Sequence, residues 1–236
     1  MSGRTLLLAL LLSLPVSQLF AHALWIETRA TGKKGQKQEV RIVYSEPGDE
    51  PEKVKDWYSD VREFSLWLIG PDNTRKQLTV TPADNHFVAE FTPEQDGVYT
   101  LAVRHDAKDL GGTTKYQFNA TATVAVGAKA AKQPASGHEI DVVRDLSKPY
   151  KVGKPVSLTG LFKDAPAEKL TVSVHSPSGW NREVVTNTTG VAEFIPLWPG
   201  TYRIEASRSQ KEDGEHHGKA YKAVWRCATQ VFEVAP

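Results

Sequence analysis

Cysteine is nearly absent: Cys227 is the only one in 236 residues, so no disulfide can form within the chain. Charge of one sign is absent too, with 29 Lys and Arg against 28 Asp and Glu. That balance removes the electrostatic case for a nucleic-acid or anionic-membrane partner. Beyond residue 21 no apolar run approaches the roughly 20 residues of a spanning helix, so no membrane insertion is expected of the mature chain. Two stretches that superficially suggest catalysis lack its context. "HSPSGW" at 175–180 has no strand-turn-helix setting for a serine nucleophile, and "DLGGTTKY" at 109–116 has glycines but not the lysine spacing of a phosphate loop. What is present is a 40% hydrophobic share, enough for ordinary folded cores.

The first 21 residues read as an export signal rather than as fold. Arg4 supplies the positive start, "TLLLALLLSL" a short apolar stretch, and Pro15 to Ala21 the region before the cut. Without them the basic and acidic residues are equal in number, 28 each. The expected location is the periplasm. Two cuts satisfy the rules: after Ala21, which starts the mature protein at His22, or after Ala23, which removes that histidine.

The rest is a repeat. "VAEFTPEQDGVYTLAV" at 88–103 and "VAEFIPLWPGTYRIEA" at 191–206 share Val, Ala, Glu, Phe, Pro, Gly and Tyr at a constant offset of 103 without a gap. "LWLIGPDN" and "VSVHSPSG" repeat upstream at an offset of 106, and "ATATVAV" and "CATQVFEV" correspond downstream. Each copy consists of short runs rich in β-branched and aromatic residues, separated by Gly, Pro, Asp and Asn. The fold class expected is all-β: two tandem immunoglobulin-like or transthyretin-like β-sandwich domains of about seven strands each. The boundaries read 22–127 for the first sandwich, 128–137 for a linker and 138–236 for the second. Residues 50–61, "EPEKVKDWYSDV", are the one helical suspect, a turn or two within a long loop. Tyr99 and Tyr202 in the shared motif read as structural, and Cys227 as buried filler in a strand.

Strand parity places chemistry at one end of the first sandwich. With neighbouring strands alternating in direction, the mature N-terminus shares a pole with residues 45–63, 82–86 and 105–115. His22, His86 and His105 fall there, with Glu46, Asp49, Asp84 and Asp106. Neutral imidazole is the commonest side-chain ligand of borderline metals, and a carboxylate either completes such a shell or orients a ring from behind. The loop "EDGEHHG" adds His216 and His217, a pair that parity cannot place relative to the first pole. His138 and His175 read as structural.

The segments "HALWIE" at 22–27, "HDAKDLGGTTKYQF" at 105–118 and "GEHHGKAYKAVWRCATQVFEV" at 214–234 resemble a bacterial family of unknown function associated with nickel and cobalt uptake. The second copy also resembles transthyretin-like and bacterial immunoglobulin-like modules. The first resemblance implies that the mature protein begins at His22, which binds metal through its amine and ring. His105, His216 and His217 then become plausible partners. The function expected is a periplasmic protein that captures nickel or cobalt, with copper as the alternative, and hands it to a membrane uptake transporter; no enzymatic activity is expected. Two other readings compete: a copper histidine-brace oxidative enzyme, with Trp25, Trp57 and Trp180 available as a substrate platform, and a structural or adhesive tandem that binds no metal.

Overall fold

A computed structural model describes residues 22–127, 133–146 and 149–236. The expected export signal and residues 128–132 of the expected linker lie outside the described residues.

The described chain is all-β. The first half contains β1 (Ala23–Glu27), β2 (Thr31–Gly32), β3 (Gln38–Ser45), β4 (Ser65–Ile69), β5 (Arg75–Leu78), β6 (Thr81–Pro82), β7 (Phe87–Phe91), β8 (Gly97–Asp106) and β9 (Thr114–Val126). The second contains β10 (Ile140–Arg144), β11 (Tyr150–Lys151), β12 (Val156–Phe162), β13 (Ala165–Pro166), β14 (Thr171–His175), β15 (Asn181–Val185), β16 (Val191–Phe194), β17 (Gly200–His216) and β18 (Lys219–Ala235). The stretch that read as a turn or two within a long loop, residues 50–61, contains the 3-10 turn Val54–Asp56 and ends on the first residue of a second, Val61–Glu63.

Three sheets form two sandwiches. One layer of the first is β1-β3-β7-β6, and one layer of the second is β10-β12-β13 with β16 also on β12. The opposing layer of both is a single ten-stranded sheet, β15-β14-β17-β18-β9-β8-β4-β5, with β2 and β11 at its margins. Period-two alternation turns Leu24, Ile26, Val40 and Ile42 toward Leu101, Val103 and Val124 in the first core. Leu158, Val172, Ile204 and Phe232 do the same in the second.

The repeated motif builds the same corner twice. The Tyr99 hydroxyl accepts the Glu94 and Gln95 backbone N–H groups at 3.1 Å and donates to the Gln95 carbonyl at 3.0 Å. The Tyr202 hydroxyl likewise accepts the Trp198 N–H at 3.3 Å and donates to its carbonyl at 3.2 Å. Gly97 and Gly200 both sit at positive φ, 139° and 126°, where an L side chain is strained. A Cβ on them would stand 2.6 Å from Pro71 and 3.1 Å from Pro177, prolines that are themselves equivalent in the repeat.

The halves join through backbone hydrogen bonds. β18 runs parallel to β9, from Ala223 opposite Thr114 to Thr229 opposite Ala120. A buried polar cluster fills the seam: Gln230 Nε2 donates to Thr121 Oγ1 at 2.8 Å and to the Val142 carbonyl, and Arg144 Nε donates to Gln230 Oε1 at 2.6 Å. The described end of the linker is fixed against the first half, with Thr100 Oγ1 donating to the Pro134 carbonyl at 2.9 Å and Arg75 to the Ser136 carbonyl at 2.7 Å.

Asp141 lies in this seam, accepting Ser136 Oγ at 2.6 Å and the Val142 N–H at 2.8 Å. Burial outweighs those bonds and raises its pKa from 3.8 to about 6. Between those values the folded protein holds a proton that the unfolded chain has released, so stability falls as pH rises across the window. Asp141→Asn is expected to remove that slope, worth on the order of 3 kcal/mol for about two pH units. Urea unfolding of both proteins across that pH range measures it.

Candidate functional site

One pole of the first sandwich gathers the expected groups, and backbone register decides which of them meet. β1 pairs with β3 so that Ala23 lies opposite Ser45 and Leu24 opposite Tyr44. The next residues outward are His22 and Glu46. Alternation puts His22 on the same face as Leu24 and Ile26, and its ring packs on Tyr44 with centroids 5.4 Å apart. Its Nε2 donates to Glu52 Oε1 at 2.9 Å, and its Nδ1 stands 3.7 Å from Glu46 Oε1. When the ring is in its neutral form with the Nε2 proton donated to Glu52, a lone pair stands on Nδ1. At 3.7 Å that nitrogen and the carboxylate are too far apart for a hydrogen bond. In that form two acceptors face one another, a gap that a shared cation would suit.

His105 is held elsewhere at the same pole. Its Nε2 donates to Asp60 Oδ1 at 2.9 Å, and the Lys108 backbone N–H reaches the same oxygen at 2.8 Å. Burial pushes the Asp60 pKa up, but the bonds from Lys108 and His105, together with the charge of His105, outweigh it and hold the carboxyl below the usual range. Two aromatic rings stand between His105 and His22. His22 packs on Tyr44, Tyr44 on Phe118 at 6.0 Å, and Phe118 lies opposite His105 in the strand register. The two histidines share a pole without sharing a ligand position.

The second-half loop does reach this pole. His216 Nε2 donates to the Ala107 carbonyl at 3.0 Å, and Lys219 Nζ lies 3.6 Å from Asp109 Oδ1. His217 and Gly218 form the two-residue turn of the β17–β18 hairpin with φ of 49° and 75°, the left-handed pair that a type I′ turn requires. The rings of His216 and His217 are 4.4 Å apart. His86 goes the other way. Its Nδ1 meets Asn85 Oδ1 at 2.8 Å and Arg41 Nη2 at 3.4 Å, on the face of the sheet opposite His22. Burial and the Arg41 charge lower its pKa. Asp106 is likewise engaged, by Lys115 at 2.8 Å. Among the described residues no group of three or more His, Cys, Asp or Glu is drawn together as a metal cage.

Two residues here went unread in the sequence, Glu52 and Asp60. Both belong to the acidic loop between β3 and β4, whose density of carboxylates was the available signal; the sequence reading brought residues 45–63 to the pole but took only Glu46 and Asp49 from them. One expectation is corrected. Trp25 and Trp57 are 0% and 3% exposed, their indole N–H groups donating to the Ser45 and Glu52 carbonyls, so neither offers a substrate platform. His138 and Cys227 are buried, as a structural reading expects.

The fold and pole define an all-β sandwich protein with a histidine and carboxylate rim. The chain belongs to the family described as Domain of unknown function (DUF4198), whose profile matches residues 19–210. His22, His86 and His105 fall inside the match; His216 and His217 follow it. No curated protein matches. Among solved structures, a DUF4785 family protein from Legionella pneumophila subsp. pneumophila str. Philadelphia 1 is similar at 14% identity and a TM-score of 0.34, over 89% of this chain and 56% of that one. A variant of Salmonella alpha-2-macroglobulin is similar at 10% identity and a TM-score of 0.28, over 92% of this chain and 15% of that one. The same protein reacted with methylamine gives 12% and 0.28, over 90% and 15%. This chain thus spans just over half the length of the first and a small part of the others.

Asp60→Asn is expected to cost about 1–3 kcal/mol at neutral pH, the range for a charge-assisted hydrogen bond. Because the folded Asp60 pKa is lowered, its contribution is present above the unfolded value and is lost as pH falls through the folded one. Unfolding curves of the two proteins should therefore converge in acid.

Proposed function

We propose that the mature protein begins at His22 in the periplasm, binds nickel or cobalt there, and delivers the ion to a membrane uptake transporter. The observation that carries this reading is the His22 ring. Glu52 holds Nε2 at 2.9 Å, and Nδ1, the nitrogen able to chelate together with the residue's own amine, faces Glu46 at 3.7 Å. A carboxylate behind a ligating imidazole fixes its tautomer and raises its basicity. Export cleavage after Ala21 would free the amine that completes the chelate. Supporting that cut, Ala23 is fully buried and paired with Ser45 as the first residue of β1, so a cut after it would remove a residue of the folded strand.

His216 and His217 reach the pole on the hairpin and are the second donor set; His105 is oriented toward Asp60 and serves as support. The amine, imidazole and carboxylate set suits nickel and cobalt, and copper(II) competes by its general affinity rank. The link to a transporter rests on the family resemblance. The ligands must shed protons, so affinity falls as pH drops toward about 6.

Titration calorimetry of the secreted protein with nickel, cobalt and copper tests the reading. One site tighter than millimolar is expected, abolished by His22→Ala and weakened roughly 10- to 100-fold by Glu52→Gln. Absence of any such binding, or a secreted form whose first residue is Leu24, overturns it.

A further inference from the structure

Beside the His22 rim the fold encloses a second feature that metal capture does not use. A cavity of about 60 Å³ is lined by Tyr44, Tyr58, Gly111, Tyr116, Phe118 and Trp225. Its walls come from β3, the acidic loop, the turn before β9, β9 itself and β18. The five rings form a continuous chain of contacts. Tyr44 meets Phe118 at 6.0 Å, Phe118 meets Trp225 at 5.8 Å, Trp225 meets Tyr116 at 5.7 Å, and Tyr116 meets Tyr58 at 6.2 Å, all with the rings at steep angles. Tyr44 and Phe118 are buried and make the floor. Tyr58, Tyr116 and Trp225 are half-buried and make the rim.

The box is built rather than left over. A Cβ on Gly111 would stand 2.3 Å from the Tyr116 ring, and Gly111 does not adopt a positive φ, so only that ring demands a glycine. Trp225 arrives from the second half through the parallel pairing that sets it opposite Tyr116. The surroundings are acidic. Tyr58 donates to the Asp109 carbonyl at 3.1 Å, and the charges of Asp109 and Asp60 act on its hydroxyl. The charge of Glu52 acts on Tyr44. Lys219 lies against Asp109 with both side chains exposed.

Size narrows the ligand. A water requires roughly 10–15 Å³ of such space, so the cavity takes a group of about four to six heavy atoms. A trimethylammonium head has nitrogen and three methyl carbons beyond its tether. Aromatic faces attract a cation through their quadrupoles, most strongly when it is poorly hydrated, as methylated ammonium is.

We infer that the Tyr44, Tyr58, Tyr116, Phe118 and Trp225 box is a binding site for a small methylated-ammonium cation. It stands independently of metal binding at His22, and the two fail separately.

The test is calorimetry of the metal-free, full mature protein with choline and with its neutral isostere 3,3-dimethyl-1-butanol. Saturable choline binding is expected, with the isostere at least about tenfold weaker, the equivalent of roughly 1.4 kcal/mol of cation–π attraction. Gly111→Ala, which displaces the Tyr116 ring that forms one wall, and Tyr58→Leu, which removes another at the rim, should each weaken choline by about tenfold or more. Circular dichroism checks that each variant folds; if Gly111→Ala does not, Tyr58→Leu decides. Choline that never saturates in the millimolar range, equal binding of the neutral isostere, or full binding by a folded Tyr58→Leu protein overturns the inference.

Discussion

The parallel pairing of β9 with β18 is the constraint on which the rest depends. Two sandwiches made from one repeated design would be separate bodies if each closed its own sheet. Here seven residue pairs, from Ala223–Thr114 to Thr229–Ala120, merge the two sheets into one. Cys227, on β18, packs in the first core although it belongs to the second copy. A sheet hydrogen-bond ladder fixes distance and direction together, so the hairpin that continues β17 and β18 has a set destination. It ends at Ala107, beside His105, and brings His216 and His217 to the first pole. The same ladder carries Trp225 to Tyr116.

The seam has a second layer that makes the pairing specific. Thr121, Asp141, Gln230 and Arg144 are buried: Thr121 bonds Asp141 and Gln230 across the halves, and Arg144 holds Gln230 from within the second half. Buried polar groups without partners are costly, so this arrangement tolerates few alternative registers. β1 is tied in the same way. Thr229 Oγ1 donates to the Leu24 carbonyl, and Arg203 bonds Glu27 at 2.6 Å. The strand that presents His22 is thus clamped from both halves, and the position of that histidine follows from the seam rather than from the N-terminal segment alone.

Much of the fold was legible in the sequence because it rests on local signals. Alternating apolar residues, the Gly and Pro punctuation and the gapless repeat are each short-range, and leaving out the two-residue strands gives seven per half. The tyrosine corners were legible for the same reason. The parallel seam was not: the paired residues of β9 and β18, such as Thr114 and Ala223, are 109 positions apart, and nothing in either strand's composition distinguishes a parallel partner from an antiparallel one. Strand parity did bring His22, His86 and His105 to one end. It could not say which face each occupies, and a single residue of phase puts His86 on the far side of the sheet from His22. Glu52 and Asp60 stayed hidden because a loop with two 3-10 turns has no regular period from which to read which carboxylates turn toward the pole.

Electrostatics completes what register began. Arg41 approaches His86, and Lys115 and Arg104 approach Asp106, so those groups already have cations beside them. Glu46 and Glu52 face the His22 ring, while Lys53 and Lys55 of the same loop pair with Asp84 and Asp56 instead, so among the described residues neither glutamate has a Lys or Arg ion pair. A divalent ion is drawn where carboxylates lack fixed counter-charges, since a resident guanidinium or ammonium must otherwise be displaced or endured at close range. Of the histidines at this pole, His22 is the one flanked by two carboxylates that no Lys or Arg among the described residues engages. The acidic loop that supplies that field also borders the aromatic box, so one stretch of chain, residues 46–60, sets the charge of both.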